Sequence, residues 1–134
     1  MAPSEFARLW YENVKKFGML RRSTLQSFDY RTLVAAKALD KSITIAALSE
    51  DPGEDLARTA KILNAEIISP QWDMPNLNKK TIEKIHSLNS KIIPWTANDS
   101  GAWKKLLDLK VDGIISDDPR SLIKFLETQS FSHY

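Results

Sequence analysis

The sequence predicts an α/β chain of about five parallel βα units, and three observations carry that reading. Short apolar runs begin near residues 24, 43, 66, 91 and 113, spaced by 19, 23, 25 and 22 residues, about the length of a strand, a helix and two short loops. Each run stops at polar or turn-forming residues, and the stretch that follows repeats apolar residues at three- and four-residue steps. No spacing suits a hairpin, and right-handed crossovers would lay all five strands parallel.

A helix comes first. Pro3 and Ser4 mark its start and Glu5 falls in the first turn, where negative charge is favoured. Phe6, Leu9, Trp10, Val14 and Phe17 form one apolar stripe, Lys15 and Lys16 occupy the last turn, and Gly18 suits a left-handed cap. The first strand is Thr24-Leu25-Gln26-Ser27, after which Asp29 can cap a helix over about 30–39. The second strand spans 42–48, its exit loop Ser49-Glu50-Asp51-Pro52-Gly53 breaks the chain, and a helix covers about 54–63. Glu66-Ile67-Ile68-Ser69 is the third strand, stopped by Pro70, with a longer loop leading to a helix that carries Ile82, Ile85 and Leu88. Residues 91–95 form the fourth strand, and the next helix carries Trp103, Leu106, Leu107 and Leu109. Gly113 to Ser116 is the fifth strand. Asp118 then caps a helix with Pro119 at its first position, where proline costs least.

At 134 residues the expectation is a single domain over 1–134, and 43% hydrophobic residues suffice for a packed core. No apolar run approaches the ~20 residues of a membrane helix, and the first residues lack the pattern of a signal peptide. The expectation is a soluble chain, cytoplasmic if Met1 is the true start. With no cysteine, disulfides, thiolate metal sites and cysteine nucleophiles are excluded. Nineteen basic against seventeen acidic side chains leave a formal charge of +2, too small a field for sequence-independent nucleic-acid binding.

Five units are too few to close a parallel barrel, which needs eight strands and typically ~250 residues. The chain reads as either a small open α/β sheet or a piece of a barrel. An open nucleotide-binding sheet would place a glycine-rich turn after its first strand. That turn here is Gln26-Ser27-Phe28-Asp29, with no glycine.

Three segments in order resemble the C-terminal half of a glycerophosphodiester phosphodiesterase. Leu25-Gln26-Ser27-Phe28-Asp29 is similar to that family's Gln-Ser-Phe-Asp strand end. Pro94-Trp95-Thr96-Ala97-Asn98 resembles its Trp-Thr-x-Asn. Val111-Asp112-Gly113-Ile114-Ile115-Ser116-Asp117-Asp118-Pro119 resembles its closing Asp-Gly-Ile-Ile-Thr-Asp-x-Pro, with Ser116 in place of threonine. Over about residues 3–127 the resemblance implies an incomplete TIM barrel, strands four to eight of a (βα)8 fold in the phospholipase-C-like superfamily. It also implies a complete enzyme that hydrolyses glycerophosphodiesters to glycerol 3-phosphate and an alcohol with a divalent metal, magnesium or calcium.

The family's catalytic and metal-binding motifs do not accompany these segments. Its His-Arg-Gly, Glu-x-Asp, second histidine and Glu-x-Lys belong to the first three strands. This chain has two histidines, His86 in a helix and His133 in a polar tail. No catalytic residue, metal ligand or cofactor is expected in this chain alone. Glu50-Asp51, Glu54-Asp55 and Asp117-Asp118 read as solvated loops and helix caps. Ser27 has no histidine partner nearby in sequence. Asn98 reads as a helix cap in preference to a ligand contact, and Trp72 and Met74 suit either an apolar wall or a core plug. Phe28 and Trp95 are the substrate-binding candidates. Both end predicted strands on the face where parallel barrels keep their sites, and the resemblance places them on the apolar side of the glycerol pocket. Bare strand edges give a second functional class, a non-catalytic half-barrel that self-associates or pairs with a missing N-terminal half.

Overall fold

The computed structural model describes residues 1–129. Four strands lie parallel in the order β1-β2-β3-β4: β1 (Thr24–Ser27), β2 (Thr44–Ser49), β3 (Ile67–Pro70) and β4 (Lys91–Ile92). The helices among the described residues are α1 (Pro3–Lys16), α2 (Tyr30–Leu39), α3 (Leu56–Leu63), α4 (Lys79–Ser87), α5 (Ser100–Asp108) and α6 (Pro119–Thr128), with a 3₁₀ turn at Leu20–Arg22. The strands are neighbours in the order in which they occur in sequence, so right-handed crossovers put every connecting helix on one face of the sheet. A doubly wound sheet reverses its order part-way and covers both faces. The sheet here does not reverse.

Side-chain burial follows that asymmetry. Register pairs Leu25 with Ile45, Ala47 with Ile68, and Ile68 with Ile92. All five are buried beneath the helices, among a core that includes Leu33, Leu56, Ile82, Ile85 and Leu106. The alternating positions point the other way. Of these, Thr24 and Gln26 are exposed, and Thr44, Leu48, Ile67 and Ile93 are half-buried.

Five helices start alike. Asp29, Asp55, Asn78, Asp99 and Asp118 each accept a hydrogen bond from a backbone N–H in the first turn of α2, α3, α4, α5 and α6. Each satisfies a donor that the helix itself leaves free. All five caps fall at the C-terminal edge of the strands, so the same chemistry sets each strand-to-helix corner. At the opposite ends, Asn64, Asn89 and Lys110 take positive φ, the left-handed conformation that turns the chain out of a helix.

Three expectations need correction. The fourth strand is regular only over Lys91–Ile92, with an isolated bridge between Gln71 and Trp95 beyond it. The predicted fifth strand at 113–116 is no regular strand, although it runs alongside β4. Asp112 N–H donates to the Ile92 carbonyl at 2.9 Å and Ile115 N–H to the Pro94 carbonyl at 2.9 Å. Three residues on one side thus face two on the other, a bulge, and Pro94 has no N–H to return the bond. Gly113 lies in the bulge, where a Cβ would come within 3.3 Å of the Ile93 side chain. The third correction concerns the stripe on α1. Ala7 is fully buried and Trp10 and Tyr11 pack on the core, whereas Phe6 and Phe17 face solvent at 46% and 70% exposure.

Candidate functional site at the C-terminal edge of the sheet

Because the strands are parallel, the residues just past β1 and β4 emerge at one edge. Phe28 follows β1 and Trp95 lies just past β4. Their rings meet edge to face, with centroids 5.7 Å apart and planes at 86°, a favoured aromatic geometry. Phe28 remains 53% exposed. The indole N–H of Trp95 donates to the Ser69 carbonyl at 2.8 Å, and the Ser69 hydroxyl donates to the Ile93 carbonyl at 2.6 Å. Two side-chain bonds therefore stitch β3 to the segment that carries Trp95 and fix the ring's tilt. The Trp72 N–H donates to the Trp95 carbonyl at 2.7 Å, which brings the loop after β3 to the same place. Met74 is buried in the core. Trp72 is half-buried beside Trp95, with the Lys105 ammonium 5.4 Å from its ring centroid.

Next to Phe28 is a cleft of about 230 Å³ lined by Tyr30, Leu48, Ser49, Glu50, Asp51 and Glu54. Glu54 organises it. The Ser49 hydroxyl donates to Glu54 Oε1 at 2.9 Å and the Thr59 hydroxyl to Oε2 at 2.7 Å. The Tyr30 hydroxyl lies 2.8 Å from Oε2 and 3.0 Å from the Leu48 carbonyl. One carboxylate thus ties the starts of α2 and α3 to the end of β2. The sequence reads Glu54 as the beginning of a helix and, with Asp55, as a solvated or capping acid, and does not single out Tyr30. A signal existed: both residues sit at strand-to-helix corners of successive units, and parallel units place such corners side by side.

Burial pushes the Tyr30 phenol well above its ordinary value, and the adjacent Glu54 carboxylate adds to the rise. A native pKa raised above the unfolded one favours folding fully below the unfolded value of about 10, and that contribution is lost as pH climbs beyond it. Tyr30→Phe is expected to cost about 1 kcal/mol at neutral pH through the lost hydrogen bond. Above pH ~10 the gap between wild type and variant should narrow. Urea unfolding at pH 7, 9 and 10.5 measures it, and a gap that widens with pH would contradict the assignment.

A second polar clasp closes the far side of the edge. Asn98 Nδ2 donates to Asp117 Oδ2 at 2.9 Å, and the Asp117 backbone N–H donates to Asn98 Oδ1 at 2.9 Å. The Ser116 hydroxyl reaches the same Oδ1 at 3.2 Å. Asn98 is therefore not the cap of α5; that role falls to Asp99. Asn98 instead binds the corner after Trp95 to the corner before α6. Asp118 does cap α6, and the Ser121 hydroxyl and backbone N–H hold its carboxyl below the usual range.

His86 lies elsewhere. It is near the C-terminus of α4, and its Nε2 is 2.8 Å from Asp112 Oδ2, which also accepts the Ile92 N–H at 2.7 Å. This pair sits at the N-terminal edge of the strands, away from Phe28 and Trp95. His133 lies outside the described residues. Among the described residues, no three His, Asp or Glu side chains gather where a cation could be held. Glu54 already accepts hydroxyl donors, Asp51 Oδ1 accepts the Gly53 N–H, and Asp117 is engaged with Asn98. The donor set does not fit a divalent metal site. No helix among the described residues is long and apolar enough to cross a membrane.

A family profile described as the glycerophosphoryl diester phosphodiesterase family matches residues 4–121. The chain belongs to this family. It is 27% identical over 116 residues to a glycerophosphodiester phosphodiesterase of Bacillus altitudinis, covering 87% of this chain and 47% of that one. It is 24% identical over 113 residues to one of Caldanaerobacter subterraneus, covering 84% and 46%. This family member thus spans about half the length of the curated relatives it matches. In fold it is similar to a glycerophosphodiester phosphodiesterase from Parabacteroides distasonis, with a TM-score of 0.85 at 21% identity, covering 94% of this chain and 52% of the other. A second likeness, to the enzyme from Thermotoga maritima, has a TM-score of 0.70 at 20% identity and covers 90% and 53%.

Proposed function

We propose that this chain is the C-terminal portion of a metal-dependent phosphodiesterase that hydrolyses glycerophosphodiesters to glycerol 3-phosphate and an alcohol. In this reading its βα units are strands four to eight of a (βα)8 barrel. Phe28 and Trp95 supply the apolar wall against which the carbon skeleton of the substrate rests. The contact of these two rings at the C-terminal edge, in a chain of this family, is the observation that carries the reading. Two residues far apart in sequence meet at the position where barrel enzymes keep their sites, and one of them keeps half its surface open for a ligand.

The divalent metal would belong to the N-terminal portion, where it would polarise the phosphoryl oxygens. This chain's part is to bind, orient and exclude water. The edge-to-face pair offers two apolar ring surfaces set nearly at right angles, and the Glu54 and Asn98 networks hold the corners on either side of it.

A chimera tests this. The 134 residues are joined behind the N-terminal portion of the Bacillus altitudinis relative and assayed with a glycerophosphodiester and magnesium or calcium. Metal-dependent release of glycerol 3-phosphate is expected. A folded chimera that binds the metal and leaves the diester intact would overturn the proposal.

A further inference from the structure

The corners at the C-terminal edge are joined in a chain. The Tyr30 hydroxyl, two residues after Phe28, donates to Glu54 in the loop after β2. In the loop after β3, the Trp72 N–H donates to the Trp95 carbonyl. Asn76 links these two loops. Its Nδ2 donates to the Asp51 carbonyl at 3.1 Å and to the Glu54 carbonyl at 2.9 Å. Among the described residues no other side-chain hydrogen bond joins them. The one main-chain tie lies at the strand ends beneath, from the Gln71 N–H to the Ser49 carbonyl at 2.9 Å.

The two loops are held differently. Asn76 lies between Met74 and Leu77, which are 5% and 3% exposed, so its backbone is anchored in the core. Glu50, Asp51, Pro52 and Gly53 are all exposed. That run packs no side chain in the core, and its place depends on the hydrogen bonds made to it. The anchored loop thus locates the exposed one.

The Asn76 amide has one workable orientation. Exchanging its nitrogen and oxygen would set Oδ1 against two carbonyl oxygens. In the orientation observed, Oδ1 is buried and meets no donor among the described residues. A buried acceptor without a partner is destabilising, and this offsets part of what the two Nδ2 bonds contribute. The side chain therefore adds little to stability while it fixes the position of a loop.

We infer that Asn76 is a positioning residue for the substrate wall. Through Asp51 and Glu54 it sets where the Phe28 side of the edge stands relative to the Trp95 side. Its kinetic consequence rests on the phosphodiesterase reading, whereas its hold on the loop does not.

Two measurements test this. The chain has no cysteine, so Pro52→Cys and Lys104→Cys, both at exposed positions, carry one spin label each, on the β2 loop and on α5. The distance distribution between the labels is expected to be narrow in the parent and about twice as wide once Asn76→Ala is added. Asn76→Asp keeps the shape of the side chain and loses the donor, and should behave as the alanine variant does. In the chimera, Asn76→Ala should raise KM about five-fold and change kcat less than about two-fold, because a displaced wall weakens ground and transition states alike. The unfolding midpoint should move by less than roughly 4 °C. Equal distance distributions overturn the inference, as does an unchanged KM in an active chimera. A large drop in midpoint with KM kept does so too, since it would make Asn76 a purely structural residue. An inactive unsubstituted chimera counts against the phosphodiesterase reading, and the label distances still decide whether Asn76 places the loop.

Discussion

Incubated with a glycerophosphodiester and magnesium or calcium, the isolated 134-residue chain is expected to release no product above the metal-free blank. Hydrolysis of a phosphodiester needs charge stabilised on the phosphoryl group and a proton delivered to the departing alkoxide. A positioned acid or base contributes roughly 10²–10⁴-fold, and a bound metal contributes several kcal/mol of further stabilisation. Among the described residues, no three His, Asp or Glu side chains gather where a cation could be held. The carboxylates at the Phe28–Trp95 edge serve structure: Glu54 collects Tyr30, Ser49 and Thr59, and Asp117 is clasped by Asn98. His86 is engaged with Asp112 at the other end of the strands. The chimera should therefore exceed the isolated chain by several orders of magnitude. Release of the alcohol is the readout. Turnover that follows the chain through purification and disappears in Trp95→Ala would place a reactive centre within these residues and refute the reading.

Trp95→Ala carries the second large effect. The indole packs against Phe28 and donates to the Ser69 carbonyl. Truncating a packed tryptophan costs about 3–5 kcal/mol; Trp95 is half-buried, so the lower end applies. Trp95→Phe keeps an aromatic ring near Phe28 and gives up the N–H bond, which is worth about 1 kcal/mol. Urea unfolding of the two variants should rank them in that order. In the chimera, Trp95→Phe should raise KM more than it lowers kcat, because a wall that binds the carbon skeleton acts on ground and transition states alike. Equal stability of the alanine variant and wild type would show that the ring is not built into the edge at all.

The spacing of apolar runs carries most of the architecture. β1 falls on the residues expected, and β2 and β3 differ by one or two positions. Periodicity records which residues face the helices, and the helices do cover Leu25, Ile45, Ile68 and Ile92. What periodicity could not record is hydrogen bonding along the last two segments. The run 91–95 is as apolar as any other, but Pro94 cannot donate, and an extra residue at Gly113–Ile114 shifts the pairing. The stripe on α1 misled for another reason. Phe6 and Phe17 fit the helical period, yet Phe6 stays 46% exposed and Phe17, the residue that ends α1, 70%. At the edge, Phe28 and Trp95 stood out because parallel strands send their ends to one face. Asn98 did not, because an asparagine one residue before the true cap looks like a cap. Its partner, Asp117, is 19 residues away in sequence, and no local pattern announces it.

The mutual hold of Asn98 and Asp117 has a chemical lifetime. An amide is needed there: one end gives a hydrogen to a carboxylate while the other takes one from the backbone. Hydrolytic loss of ammonia from Asn98 would turn that donor into a second acid. Two anions would then stand where their atoms are now 2.9 Å apart. Repulsion at that distance would part the corner after Trp95 from the corner before α6. The rim would open with the protein's age, without any change in what the genome encodes.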